Sequence, residues 1–316
     1  MWLALLATLF LHGSSTNDYP IDPASLRILC DNADLIIVGE ALEIRELPAR
    51  EDLSFRDSHE VQLALDEILM GEIQNQEIVV PYPGFFGCPS PPHFEVGKKH
   101  LVFLEKNEDQ TFAVCYLSYG GKVLGNEGLA AYKKAIFDYQ EISQIKNEKI
   151  RDAATAEWIV QLALNPHTQW EGALELNEDR YLATGFTKDL WGFGISKLNS
   201  SQVERLIQCM ADKKVLEFRD AELLEALDYS DDIRLLEPTL GIAELKWRFY
   251  RRSGMWLWKA VCRSNNSIAK ELYLKKWRSS EDDPIRWYHT GGKANFREDV
   301  CTIAALIREG EKKKNM

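Results

Sequence analysis

The sequence predicts an α+β chain of two domains. A five-stranded β-barrel of the OB type is expected over about residues 25–120, and an all-helical domain, bundle-like or solenoid-like, over about 127–310. Three observations predict this. Up to residue 117 the apolar residues come in short runs or alternate with polar ones, and Gly and Pro cut the runs apart. From Leu129 onward they recur at three- and four-residue steps. Between the two patterns, Gly120-Gly121 and Gly125-Asn126-Glu127-Gly128 have the composition of a linker or tight turn.

The strands follow in order. Leu35-Ile36-Ile37-Val38 continues through Ala41, Leu42 and Ile44, with Gly39 as a point where a barrel strand bends. Val61, Leu63 and Leu65 alternate with polar neighbours, and Gly71 ends that strand. Glu77-Ile78-Val79-Val80 is stopped by Pro81 and Pro83, and a Gly- and Pro-rich loop runs to Pro92. His100–Leu104 and Thr111–Leu117 complete the set, separated by a turn at Asn107-Glu108-Asp109. Five short strands with hairpins and one long connection fit a small closed barrel. Helices are expected from Leu129 to Ile142 and from Ile150 to Leu164, where Asn165-Pro166 stops the second. Ser201-Gln202-Val203-Glu204 reads as a capping box opening a helix through Met210. Residues 219–228, 233–250 and 297–309 suggest three more.

The formal net charge of −11 argues against a general nucleic-acid binder, which needs a basic face. Met1–Leu11 is almost wholly apolar, and His12-Gly13-Ser14-Ser15 follows with small residues. This reads as the apolar core and cleavage region of a signal peptide over residues 1–15, too short to span a bilayer. A secreted, periplasmic or cell-surface protein with no transmembrane segment is therefore expected. Asn199-Ser200-Ser201 and Asn265-Asn266-Ser267 fit the N-glycosylation pattern.

Three stretches carry a family resemblance. They are Leu29-Cys30-Asp31-Asn32-Ala33-Asp34 with the apolar strand behind it, Gly87-Cys88 ahead of Phe94–Leu104, and Phe112-Ala113-Val114-Cys115. Together they resemble the cysteine-marked strands of the netrin-module family, to which the tissue inhibitors of metalloproteinases belong. The resemblance covers about residues 28–120 and implies an exported OB barrel that recognises other proteins. It departs from the family at one point. Inhibitors of that family begin with a Cys-any-Cys wedge that chelates the protease zinc, and no cysteine lies between Met1 and Cys30. With the usual partners absent, the resemblance implies a Cys88–Cys115 bridge, and Cys30 is left free or reaches Cys209. Cys262 and Cys301 are a further candidate pair in the helical half. A buried thiol is the alternative for each cysteine.

No catalytic or metal-binding pattern stands out. The chain has no His-Glu-x-x-His, Cys-x-x-Cys, Gly-x-Ser-x-Gly or phosphate loop. The six histidines are scattered singly. No catalytic residue, cofactor or metal is assigned. Two features could bind a partner. Phe85 and Phe86 lie in the loop between strands, where OB-type barrels commonly bind. Basic and aromatic residues interleave around Trp256 and Trp258. There the competing reading is that the rings pack inward while the basic heads reach acidic neighbours. The expected function is a non-enzymatic protein–protein interaction module lacking the zinc-chelating wedge, with a protein partner such as an extracytoplasmic protease. The alternatives are a protease inhibitor acting through a barrel loop, and an enzyme or glycan-binding protein with its site in the helical domain.

Overall fold

The structure, a computed structural model, describes residues 24–48, 58–84, 90–177, 192–217, 219–245, 250–279, 287–289 and 292–314. It divides into two compact units, Met1–Gly125 and Asn126–Met316.

The first unit opens with a short helix, α1 (Leu26–Asn32), capped by the Ser25 hydroxyl, which accepts from the Ile28 N–H. Six strands follow: β1 (Leu35–Glu46), β2 (His59–Met70), β3 (Glu77–Tyr82), β4 (Lys99–Lys106), β5 (Phe112–Val114) and β6 (Gly121–Val123). They form one antiparallel sheet in the order β3-β2-β1-β4-β5, with β6 also pairing β4. One face carries the core: Leu35, Ile37, Val61, Leu63, Ile78, Val80, Val102 and Leu104 pack with Tyr82 and Phe94. Alternation turns Ile36, Val38, Leu101 and Phe103 the other way, and they are buried too. That double burial explains why β1 and β4 read as continuous apolar runs rather than alternating ones.

The expected closed five-stranded barrel is corrected here. Among the described residues the sheet has six strands and its ladder does not close. The end strands β3 and β5 lie against each other without exchanging ladder hydrogen bonds. Pro81 removes a donor from β3, and β5 is only three residues long, which leaves little to pair. The predicted strand through Leu117 ends early because Tyr116 and Leu117 take left-handed backbone angles, φ 50° and 56°. Gly121–Val123, expected to be part of a linker, is instead a strand, with His100 opposite Val123. Gly39 lies at a register shift in the β1–β2 pairing. A Cβ there would come within 2.7 Å of the Ala64 carbonyl oxygen, so the partner strand requires a glycine.

The second unit is helical: α2 (Asn126–Ser143), α3 (Glu148–Leu164), α4 (Gln169–Leu176), α5 (Ser200–Ala211), α6 (Asp220–Ala226), α7 (Leu236–Leu245), α8 (Tyr250–Ser264), α9 (Ser267–Lys276) and α10 (Gly292–Lys314). A small antiparallel pair, β7 (Trp277–Ser279) and β8 (Trp287–His289), precedes α10. Helix α3 packs on α2, α4 and α5, and α4 packs on α6, so successive helices form adjacent layers. The α3–α4 approach is close. A Cβ on Gly172 would lie 2.3 Å from the Ala163 backbone nitrogen. Further along, α8 packs on α7, α9 and α10. The capping box is present two residues earlier than expected, with Asn199 in place of Ser201 as the N-cap. The Asn199 side chain accepts from the Gln202 N–H, and the Gln202 side chain accepts from the Asn199 N–H, each at 3.0 Å. No helix among the described residues is long and apolar enough to cross a membrane.

Candidate functional site

In the first unit the clearest cluster of chemically capable side chains caps one end of the sheet core. His59 on β2 sits opposite Tyr82 on β3, with ring centroids 5.7 Å apart. Tyr82 meets Phe94 edge-on at 5.1 Å, and Phe94 meets His100 on β4 at 5.1 Å. Four rings from three strands and the β3–β4 connection thus form a file. The geometry matches the preferred edge and tilted contacts of aromatic rings.

His100 is fully buried, and its Nε2 lies 3.1 Å from the Glu95 carbonyl oxygen and 3.2 Å from the Glu95 backbone nitrogen. Its Nδ1 has no hydrogen-bond partner among the described residues. Burial holds this imidazole below the usual histidine pKa and so neutral. The ring pins the turn at Val96-Gly97, where Gly97 has φ 74°, to the inner strand. The same burial raises the Tyr82 phenol above its ordinary pKa. The Ser58 hydroxyl accepts from the Gly84 N–H at 2.7 Å and lies 3.0 Å from His59 Nδ1. A nucleophile–base pair needs a third group to orient the base. No carboxylate among the described residues bonds His59. The Ser58 hydroxyl instead ties down Gly84, where an added Cβ would fall 1.9 Å from the His59 ring. This end of the sheet is a packed platform. Phe85, Phe86 and Cys88 lie outside the described residues.

Around Trp256 and Trp258, the described part of the basic–aromatic patch is packed structure. Trp256 is 1% exposed, which removes it from contact with a ligand. Trp258 is half-buried and packs on Tyr273 at 5.1 Å; Tyr273 in turn stacks flat on Trp277 at 4.9 Å. The basic heads find acids. Lys259 lies over the Trp256 ring at 4.6 Å and pairs with Asp228 at 2.8 Å, and Lys276 pairs with Asp299 at 3.1 Å. Arg263 donates to Thr239 and to the Ser230 carbonyl oxygen. The sequence reason is the spacing Gly254, Leu257, Val261 with Trp256 and Ala260, which makes one apolar stripe along α8.

The cysteines stand as follows. Cys115 is a buried free thiol, with its pKa raised by burial and by the nearby carboxylates of Glu105 and Asp34. Cys209 is a half-buried free thiol. Cys262 and Cys301 are both free and exposed, so the bridge expected between them is not formed. Cys262 lies near the end of α8 and Cys301 on the solvent face of α10, whose buried stripe is Phe296, Val300, Ile303 and Ile307.

Among the described residues, no group of three or more His, Cys, Asp or Glu side chains could hold a metal ion. An open groove of about 530 Å³ is lined by Leu216, Glu217, Arg219 and Leu245. Its charges are internally satisfied, because Arg219 pairs with Glu217 at 2.5 Å and donates to the Pro166 carbonyl oxygen at 2.7 Å. Of the buried polar contacts that sequence reasoning missed, two are instructive. Alternation on β4 places His100 with Val102 and Leu104, a signal that would have found it inside. Tyr132, whose hydroxyl donates to the buried Glu171 at 2.9 Å, required knowledge of how α2 and α4 pack. No family model matches the chain, and no curated protein matches it significantly.

Proposed function

We propose that this chain is an exported, non-enzymatic protein-recognition module of the netrin/TIMP-like type. In this reading the first unit is a partly open OB-type barrel that lacks the zinc-chelating wedge. The observation that carries it is the strand order. A sheet ordered β3-β2-β1-β4-β5, with β6 also on β4 and β5 lying against β3, supports reading the first unit as OB-like and open along one seam. Cys30 and Cys115, both buried, flank this sheet at the positions where the resemblance calls for cysteines. The apolar run at Met1–Leu11 supports export. The family step is an argument by analogy, since fold alone does not specify function. An extracytoplasmic protease is the partner class this reading favours.

The test is intact mass of the protein from its native host, before and after reduction and alkylation, followed by a titration against several metalloproteases. Loss of roughly the first fifteen residues is expected on export. A full-length chain in a reducing compartment would sink the proposal. Hydrolysis of a generic substrate panel, abolished by one substitution, would replace it with an enzyme.

A further inference from the structure

The geometry points to Asn265 as an acceptor site for an N-linked glycan, an inference that rests on the export reading above. Asn265 lies in the two-residue turn between α8 and α9 and begins the sequon Asn265-Asn266-Ser267. Its neighbours hold the turn, and its own side chain makes no hydrogen bond among the described residues. Asn266 caps α9, accepting from the Ala269 N–H at 3.0 Å and donating to the Leu306 carbonyl oxygen at 3.0 Å. The Ser264 hydroxyl donates to the Val261 carbonyl oxygen and accepts from the Asn266 N–H. Asn265 has φ 51°, a left-handed conformation that asparagine tolerates better than most residues, and its side chain is exposed. Ser267, the hydroxyl residue of the sequon, is exposed as well.

The second sequon is built differently. Asn199 is the N-cap of α5, and its amide oxygen is committed to the Gln202 N–H within the capping box. Asn265 is therefore the sequon asparagine whose side-chain amide is uncommitted among the described residues. A sugar there would extend from a firmly held turn, beside the exposed side chains of Cys262 and Ile268. In the transfer, the Asn265 amide nitrogen displaces the diphosphate of a lipid-linked oligosaccharide. A bond forms between Nδ2 and the anomeric carbon, one amide proton is lost, and the lipid diphosphate leaves.

The test uses the full chain made in eukaryotic secretory cells in two forms, one with its own start and one behind a cleavable leader of established function. Intact mass is read before and after enzymatic glycan release, which converts an occupied asparagine to aspartate. The expected result is a glycan on Asn265 of the leader-bearing form. Asn265→Asp and Ser267→Ala should each lose that glycan mass wholly, with the melting temperature of the deglycosylated proteins unchanged. Secretion of the leader-bearing form with Asn265 bare would overturn the inference. Retention of the native-start form inside the cell would overturn export alone, because the leader-bearing form still reports on Asn265.

Discussion

A single imidazole ties the outer turn of the first unit to its core. His100 is neutral in the fold because burial disfavours its charged form. The linkage has a definite sign. The unfolded chain takes up a proton near the ordinary value of 6.5, and the native His100 does so only at lower pH. Between those two values the unfolded state binds more protons, so its stabilising contribution is present above pH 6.5 and is lost as pH falls. The groups facing the ring are Glu95 and His93 from the turn, Phe94 beside them, and backbone from β1 and β6. Urea midpoints measured across mildly acidic to neutral pH should fall with acidification in the wild type. His100→Phe should flatten that slope, and an unchanged slope would assign it to other groups. A second residue-scale outcome concerns thiols. In native protein, the exposed Cys301 should alkylate first and Cys262, exposed but with its thiol pushed up by partial burial, more slowly, while the buried Cys115 should react only on unfolding. Peptide mapping after a short iodoacetamide pulse reads all three together.

At the scale of elements, two helices depend on single residues that a composition count would overlook. Gly172→Ala forces a methyl into the α3 backbone and should destabilise by about 1–3 kcal/mol through overpacking. Asn199→Ala removes the α5 cap and should cost about 1 kcal/mol. Denaturant melts distinguish them from the near-neutral Asn265→Asp. The elements themselves were legible to different degrees. Strands β1 to β4 and helices α2 and α3 announced themselves because their apolar periods run long enough to register. The seven-residue α1 and the eight-residue α4 did not, since about two turns give little period to read, although the equally short α6 was found within 219–228. Strand β6 was hidden because glycine at Gly120 and Gly121 reads as a turn, yet the register brings Gly121 opposite Val102 in a ladder. The ring file was invisible for a related reason. His59, Tyr82, Phe94 and His100 are spread over 42 positions, and only strand pairing gathers them. The basic–aromatic patch was legible in composition and ambiguous in meaning until packing on α9 and α10 showed which rings were inside.

At the scale of the whole molecule, the division near residue 125 separates a β unit from a helical unit, each with its own apolar core. Domains of this size ordinarily fold alone. Fragments 24–125 and 126–316 should therefore each show a cooperative thermal transition, the first with a β-type and the second with a helical circular dichroism spectrum. A helical fragment without a cooperative transition would mean that the second unit needs the first.

The placement of β4 sets an order of events in time. Among themselves, strands β1, β2 and β3 pair in sequence order, so a nascent chain can assemble them once residue 82 has emerged. Strand β4 then docks on β1, bringing Phe103 opposite Ile36 across 67 residues, and it also carries both β5 and β6. Closing so long a loop carries an entropy cost that grows with the logarithm of its length, and contacts of such separation slow folding. Until that docking occurs, the exposed edge of β1 presents Leu35, Ile36, Ile37 and Val38 unpaired. The interval between residue 82 and residue 106 leaving the ribosome is when this chain is most exposed to self-association.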